Sequence, residues 1–260
     1  MMKFALIVVL IAVALCDLDF NRVHVVDKVG TNSYLFRGNQ PLNGTKETYQ
    51  FAYDELLQDL TLRAKEEANS TLPAPSVYLV DVTFETIVDG GFFQEAEFWA
   101  DPKNADKGRY ENWVLVGAPF WADGFSPAQQ KQMIENGTVW NVDQIPDRLL
   151  KMRKMLEQGP PPNYDALAVY VHCAAGCDRT GEFVGSYRLA YEHRSTLSPI
   201  YEMDVIECGR APNYFSSGMI GWYCLTWNLY NATILQLPTV PDCLTAYTCE
   251  LFGKCNSTGI

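Results

Sequence analysis

The spacing of apolar positions changes several times along the chain. Val77 to Val82 and Ala166 to Val171 are short, nearly continuous apolar runs, the mark of strands buried on both faces. Arg22 to Val26 and Tyr34 to Phe36 are shorter runs, with Val29-Gly30-Thr31-Asn32 between them, and predict two strands and a turn. Trp113 to Val116 predicts a further strand. Within Thr45 to Lys65, Tyr49, Tyr53, Leu56 and Leu60 recur at helical spacing. Leu149, Met152 and Leu156 do so within Gln144 to Glu157, where Pro146 suits a first turn and Gly159-Pro-Pro-Pro-Asn163 is a stop. A helical pattern resumes at Arg179 with Phe183, Tyr187 and Ala190. Met219 to Leu235 predicts a buried helix, since Asn228, Asn231 and a length of seventeen residues disfavour a membrane span. Strands alternating with helices predict an α/β domain. The stretch between Val82 and Trp113 is rich in Gly, Asp and Phe, shows no clear period and reads as a candidate insertion.

Composition narrows the class. The chain has 260 residues, 48% hydrophobic and 20% charged, which suits one medium globular domain, or one domain with a small appendage. Its net charge of −11 repels nucleic acid and anionic lipid, so neither is an expected partner. An anionic substrate needs a local cradle to overcome that field. Lys3, the apolar run Phe4 to Leu15, and the small residues Ala14 and Cys16 before Asp17 have the pattern of a secretory signal peptide over residues 1–16. Five sequons, at Asn43, Asn69, Asn136, Asn231 and Asn256, agree with secretion and glycosylation. Without Cys16 seven cysteines remain, an odd number that points to one free thiol. Five of them, Cys208, Cys224, Cys243, Cys249 and Cys255, lie in the last 53 residues and predict a disulfide-stapled C-terminal segment. A zinc site at Cys243-x5-Cys249-x5-Cys255 is the weaker reading, because that spacing is wrong for paired knuckles.

The chemistry gathers in Val169-Tyr-Val-His172-Cys173-Ala-Ala-Gly176-Cys177-Asp178-Arg179-Thr180-Gly181. Here a strand feeds a short loop that feeds a helix. Such a junction aims backbone N–H groups and the positive helix end at one spot, which makes an anion site. Cys173 stands at its mouth, where the same donors favour a thiolate. The Arg179 fork can curl back onto two oxygens of a phosphate, Gly176 allows close backbone approach, and Thr180 can offer a hydroxyl to the thiolate. His172 is expected to bond the loop backbone.

This segment resembles the His-Cys-x5-Arg-Thr-Gly signature of the cysteine-based protein tyrosine and dual-specificity phosphatases. Arg37-Gly-Asn-Gln40-Pro41 also resembles an Arg-x-x-Gln-Pro segment of the compact dual-specificity members. The resemblance covers most of the chain after residue 16, strongly at the loop and weakly elsewhere. It implies a central mixed sheet flanked by helices, with residues 17–212 as the catalytic domain and 213–260 as a C-terminal helix and disulfide-rich extension. It also implies a metal-free, two-step hydrolysis of phosphomonoesters without a cofactor. Cys173 attacks phosphorus, while Arg179 and the loop residues Ala174, Ala175, Gly176, Cys177, Asp178 and Thr180 hold the oxygens.

Three matters stay open on the sequence. The acid that protonates the leaving group is Asp123 in Trp121-Ala122-Asp123-Gly124, or Asp178 within the loop, or Asp143 or Asp147 near a helix start. With Asp123 as the acid, Ser126 to Asn141 is an insertion. Cys177 is a disulfide partner, a redox switch that traps oxidised Cys173, or merely a small loop residue. The loop adds no cation beyond Arg179, which favours a singly phosphorylated group such as protein phosphotyrosine. An inositol phosphate or phosphoinositide is the alternative, and a catalytically silent secreted binding module on the same scaffold is a third reading.

Overall fold

A computed structural model describes residues 18–45, 48–73, 76–192, 196–230 and 239–243. The proposed signal peptide, Asn231, Asn256, Cys249 and Cys255 lie outside them, as does the weaker zinc reading that needs the last two. The strands are β1 (His24–Val29), β2 (Ser33–Asn39), β3 (Leu42–Asn43), β4 (Gln50–Phe51), β5 (Val77–Thr83), β6 (Gly108–Asn112) and β7 (Ala166–Cys173). The helices are α1 (Tyr53–Ala68), α2 (Phe92–Ala100), α3 (Pro127–Glu135), α4 (Ile145–Gln158), α5 (Asp178–Tyr191), α6 (Ser198–Cys208) and α7 (Tyr214–Tyr230).

The main sheet runs β1-β2-β7-β5-β6. β1 is antiparallel to β2, and the other neighbours are parallel. β7 lies at the centre with every residue buried, which explains its unbroken apolar run. Its side chains still alternate. Leu167, Val169 and Val171 join the core beneath α4, α5, α6 and α7, whereas Ala166, Ala168 and Tyr170 join the core beneath α1. Phe98 and Trp99 of α2 pack on the α1 side. The fold is therefore α/β, a mixed sheet covered by helices on both faces.

Several expected elements are displaced. The strand expected at Trp113–Val116 is instead Gly108–Asn112, and Trp113 begins the loop that follows it. That strand and α2 occupy the stretch read as an insertion. α1 starts at Tyr53, later than Thr45, because residues 50–51 pair with β3 first. α7 joins the same core as the sheet through Met219, Ile220 and Trp222 rather than standing apart. A disulfide joins Cys224 of α7 to Cys243, so the C-terminal region is stapled. No helix among the described residues is long and apolar enough to cross a membrane.

The parallel strands β2, β5 and β7 end at one edge, with Asn39 beside Cys173 and Thr83 beside His172. The loops leaving these strands must converge there, which is where ligands sit in sheets of this kind.

Candidate active site

The loop from β7 to α5 owes its shape to its carbonyl groups. The Cys173 carbonyl accepts from the Gly176 N–H at 3.1 Å, and the Ala174 carbonyl from the Gln40 N–H at 3.4 Å. The Ala175 carbonyl accepts from Arg22 Nη1 at 2.7 Å, and the Gly176 carbonyl from Arg37 Nη2 at 2.9 Å. A planar trans peptide sends its N–H opposite to its C=O. Fixing these carbonyls therefore turns the N–H groups of Ala174, Ala175 and Cys177 the other way. Gly176 has φ +73°, and a Cβ there would stand 2.4 Å from the Gly38 carbonyl oxygen. Glycine is required by this backbone contact with β2, not only by approach to an anion.

Two further ties hold the loop. A disulfide joins Cys177 to Cys208 at the end of α6. Arg37 is fully buried between Asp204 and Glu207 of α6, and Glu207 also binds Arg188 of α5. The disulfide settles the role of Cys177. Of the three open readings this is the disulfide partner; the switch with Cys173 is not available, because the Cys177 sulfur is already committed to Cys208. Among the described residues Cys173 is the free cysteine, and it is buried.

Arg179 projects from the first turn of α5 and remains partly exposed. Its Nη1 and Nη2 meet the two carboxylate oxygens of Asp89 at 2.8 and 3.1 Å, and Nη1 also reaches the Phe84 carbonyl at 3.3 Å. Asp89 is in turn held by the Thr86 N–H at 2.7 Å and the Thr86 hydroxyl at 2.9 Å. Burial alone would raise the Asp89 carboxyl, but the bonds from Arg179 and Thr86 outweigh it and hold the group below its ordinary range. Thr180 Oγ1 is buried with no hydrogen-bond partner, so its hydroxyl remains able to donate.

No protein-family model matches the chain, and no curated protein matches it.

The candidate acids fall into different environments. Asp178 receives two bonds from Arg210, at 2.6 and 2.7 Å, and one from the Asn213 N–H at 2.8 Å. Burial opposes its ionisation, yet Arg210 and Asn213 hold it below the usual carboxylate range, which disfavours proton donation. Asp143 is buried and accepts the Val116 and Gly117 N–H groups at 2.9 and 2.7 Å, so it shapes the loop after β6. Burial pushes it up against those bonds. Asp147 is exposed in the first turn of α4, where it faces the helix dipole. Asp123 is exposed on a single 3-10 turn, Ala122–Gly124, and makes no hydrogen bond or ion pair among the described residues. Its loop leans on the start of α7, where the Ala118 N–H meets the Phe215 carbonyl at 2.9 Å and Trp121 packs on Tyr214. The contacts place this loop beside α7 and leave the Asp123 carboxyl without a bond to the Cys173 loop.

His172 corrects another expectation. Its Nε2 meets Asp81 Oδ1 at 2.9 Å on β5 and does not bond the loop backbone through its ring. Asp89 is the residue that sequence reasoning missed. The signal available was Thr86-x-x-Asp89-Gly90-Gly91, a short turn within a stretch that had no period.

Proposed function

We propose that this protein is a phosphoric monoester hydrolase that works through a phosphocysteine on Cys173. The observation that carries the reading is the loop itself, whose carbonyls are bound outward beside one free thiol and one guanidinium fork. Backbone N–H groups and Arg179 would hold the three equatorial oxygens as their charge is passed to the transition state. The Cys173 sulfur would displace the alcohol or phenol, with Asp123 giving the leaving oxygen its proton. Water would then cleave the S–P bond. The exposed, unbonded state of Asp123 supports it over Asp178, which is tied to Arg210.

Protein phosphotyrosine is the proposed substrate class. One observation favours the inositol phosphate alternative. Arg210 reaches the loop from outside it through Asp178, and its guanidinium is partly exposed. It adds a guanidinium beside the cradle that the loop's own sequence does not contain, whereas Arg22 binds the Ala175 carbonyl on the side away from the N–H groups. Two disulfides and the apolar run at residues 4–15 support passage through an oxidising compartment. Sequons Asn69 and Asn136 are exposed, which suits glycosylation.

The test is vanadate-sensitive hydrolysis of a small aryl phosphate by wild type and Cys173→Ser, followed by comparison of a phosphotyrosyl peptide with an inositol polyphosphate. Turnover lost with Cys173→Ser supports the mechanism. Turnover retained by Cys173→Ser overturns the phosphocysteine mechanism, and no turnover in wild type favours a silent binding module.

A further inference from the structure

Behind the signature loop, on the α1 and α2 side of the sheet, lies a pit of polar side chains cut off from solvent. Asp81 comes from β5, His172 from β7, and Glu95 from α2, and all three are 0% exposed. One ligand-type atom from each lies within 4.8 Å of the others. His172 Nε2 is 2.9 Å from Asp81 Oδ1 and 3.8 Å from Glu95 Oε2. Ligands about 2.0–2.2 Å from a tetrahedral ion are separated by roughly 3.4 Å, so these spacings bracket that value.

The surroundings call for a cation independently. Both oxygens of Glu95 are buried without a hydrogen-bond partner of good geometry. The same holds for Glu85 Oε1 and Gln40 Oε1, whose side chains are also fully buried and whose neighbours include Glu95. Gln40 Nε2 donates to Glu85 Oε2 at 2.7 Å and Trp99 Nε1 to Asp81 Oδ2 at 2.8 Å, and the Gln40 and Thr83 side chains also lie beside Glu95. Three carboxylates, Asp81, Glu85 and Glu95, thus share a place closed to solvent, where the Tyr110 hydroxyl and His172 Nδ1 are also buried without a partner. An unmatched buried acceptor costs about 1–3 kcal/mol, and more when charged. The Trp99 bond would orient Asp81 as the outer partners of metal ligands commonly do.

We propose that Asp81, Glu95 and His172 bind a divalent cation of the zinc class as a structural site that joins α2 to β5 and β7. One imidazole nitrogen and two carboxylates suit zinc, and a set of oxygen ligands alone would suit calcium or magnesium better. The ion would take no part in the phosphoryl chemistry. It would brace the sheet from the face opposite the core that contains Cys173.

The experiment uses the full chain expressed with zinc, dialysed against a chelator and measured for metal content. A buried ion should survive dialysis at about one equivalent, whereas adventitious surface zinc should be removed. Cys173→Ser should retain it, which separates this site from metal bound at the free thiol. Glu95→Gln should lose it. Protein refolded with zinc at a hundredfold excess over its Kd should melt roughly 5–10 °C higher than protein refolded with chelator. If Glu95→Gln does not fold, cobalt refolded into wild type should give the intense visible absorption of a low-coordinate protein-bound ion, distinct from the weak spectrum of the hydrated ion. Wild type without retained metal, with equal melting in zinc and chelator, would show that protons alone balance the cluster and would overturn the proposal. A full equivalent retained by folded Glu95→Gln would overturn it as well.

Discussion

Arg179 and Asp89 meet fork to fork, two guanidinium nitrogens on two carboxylate oxygens, across ninety residues of sequence. The pair orients a side chain that otherwise has many rotamers. In the proposed mechanism Asp89 is a positioning residue, and Thr86 holds Asp89 in place. Asp89→Asn keeps the shape but leaves one oxygen to face Arg179. It should lower kcat/KM by up to about 10²-fold through misplacement of the fork. The loss should exceed any loss of melting temperature, which steady-state kinetics and a thermal scan on one preparation would check.

Arg179→Lys is expected to be more damaging than Asp89→Asn, because an ammonium cannot span two oxygens. Cys173→Ser should abolish turnover while vanadate binding persists, since the carbonyl ties that shape the loop do not involve the sulfur. Calorimetric titration with vanadate alongside an activity assay separates the two effects.

Asp123→Asn should slow substrates with poor leaving groups by about 10²-fold or more and spare activated aryl phosphates. Asp178→Asn should instead weaken the link to Arg210 and affect all substrates alike. A leaving-group series run on both variants checks this assignment. A strong dependence in Asp178→Asn alone would transfer the role of acid to that residue.

The Cys177–Cys208 bridge should make the loop sensitive to reductant. Cys208→Ser is expected to cost about 2–4 kcal/mol of stability, measured by urea unfolding. Peptide mapping after mild peroxide should find Cys177 paired with Cys208 in the wild type, and no Cys173–Cys177 peptide. Only in Cys208→Ser does Cys177 become available to Cys173.

Glu182 offers a pH test away from the loop. Burial first, and the neighbouring Asp143 second, push its carboxyl well above the usual range. The folded state then holds a proton that the unfolded chain gives up above about pH 4.3. Stability must fall as pH rises from there toward the folded value. Glu182→Gln removes that proton uptake. Its urea midpoint should change less than that of the wild type between pH 5 and pH 8.

Much of the architecture was legible because it depends on local pattern. The apolar runs of β5 and β7 mark strands covered on both sides, and the spacing of Leu149, Met152 and Leu156 marks the buried face of α4. The loop from β7 to α5 was legible for the same reason. Its strand, glycine and helix start are contiguous, so the order of residues implies their geometry.

What closes the site was not local. Arg22, Arg37, Asp89 and the pair Cys208 and Arg210 at the end of α6 reach the loop from four separate places, and nothing in those segments names the loop as their partner. β6 was misplaced by a few residues because Gly108–Asn112 is an edge strand of mostly polar sequence, where partner hydrogen bonds rather than apolar burial decide the structure. Sequence by itself determined the strand–loop–helix segment and the reactive types within it, since these follow from neighbours along the chain. Only the tertiary structure decided which arginine is clamped, which cysteine is bridged and which aspartate is spent. Those outcomes depend on groups brought within 3 Å by packing, and packing distance has no simple relation to distance in sequence.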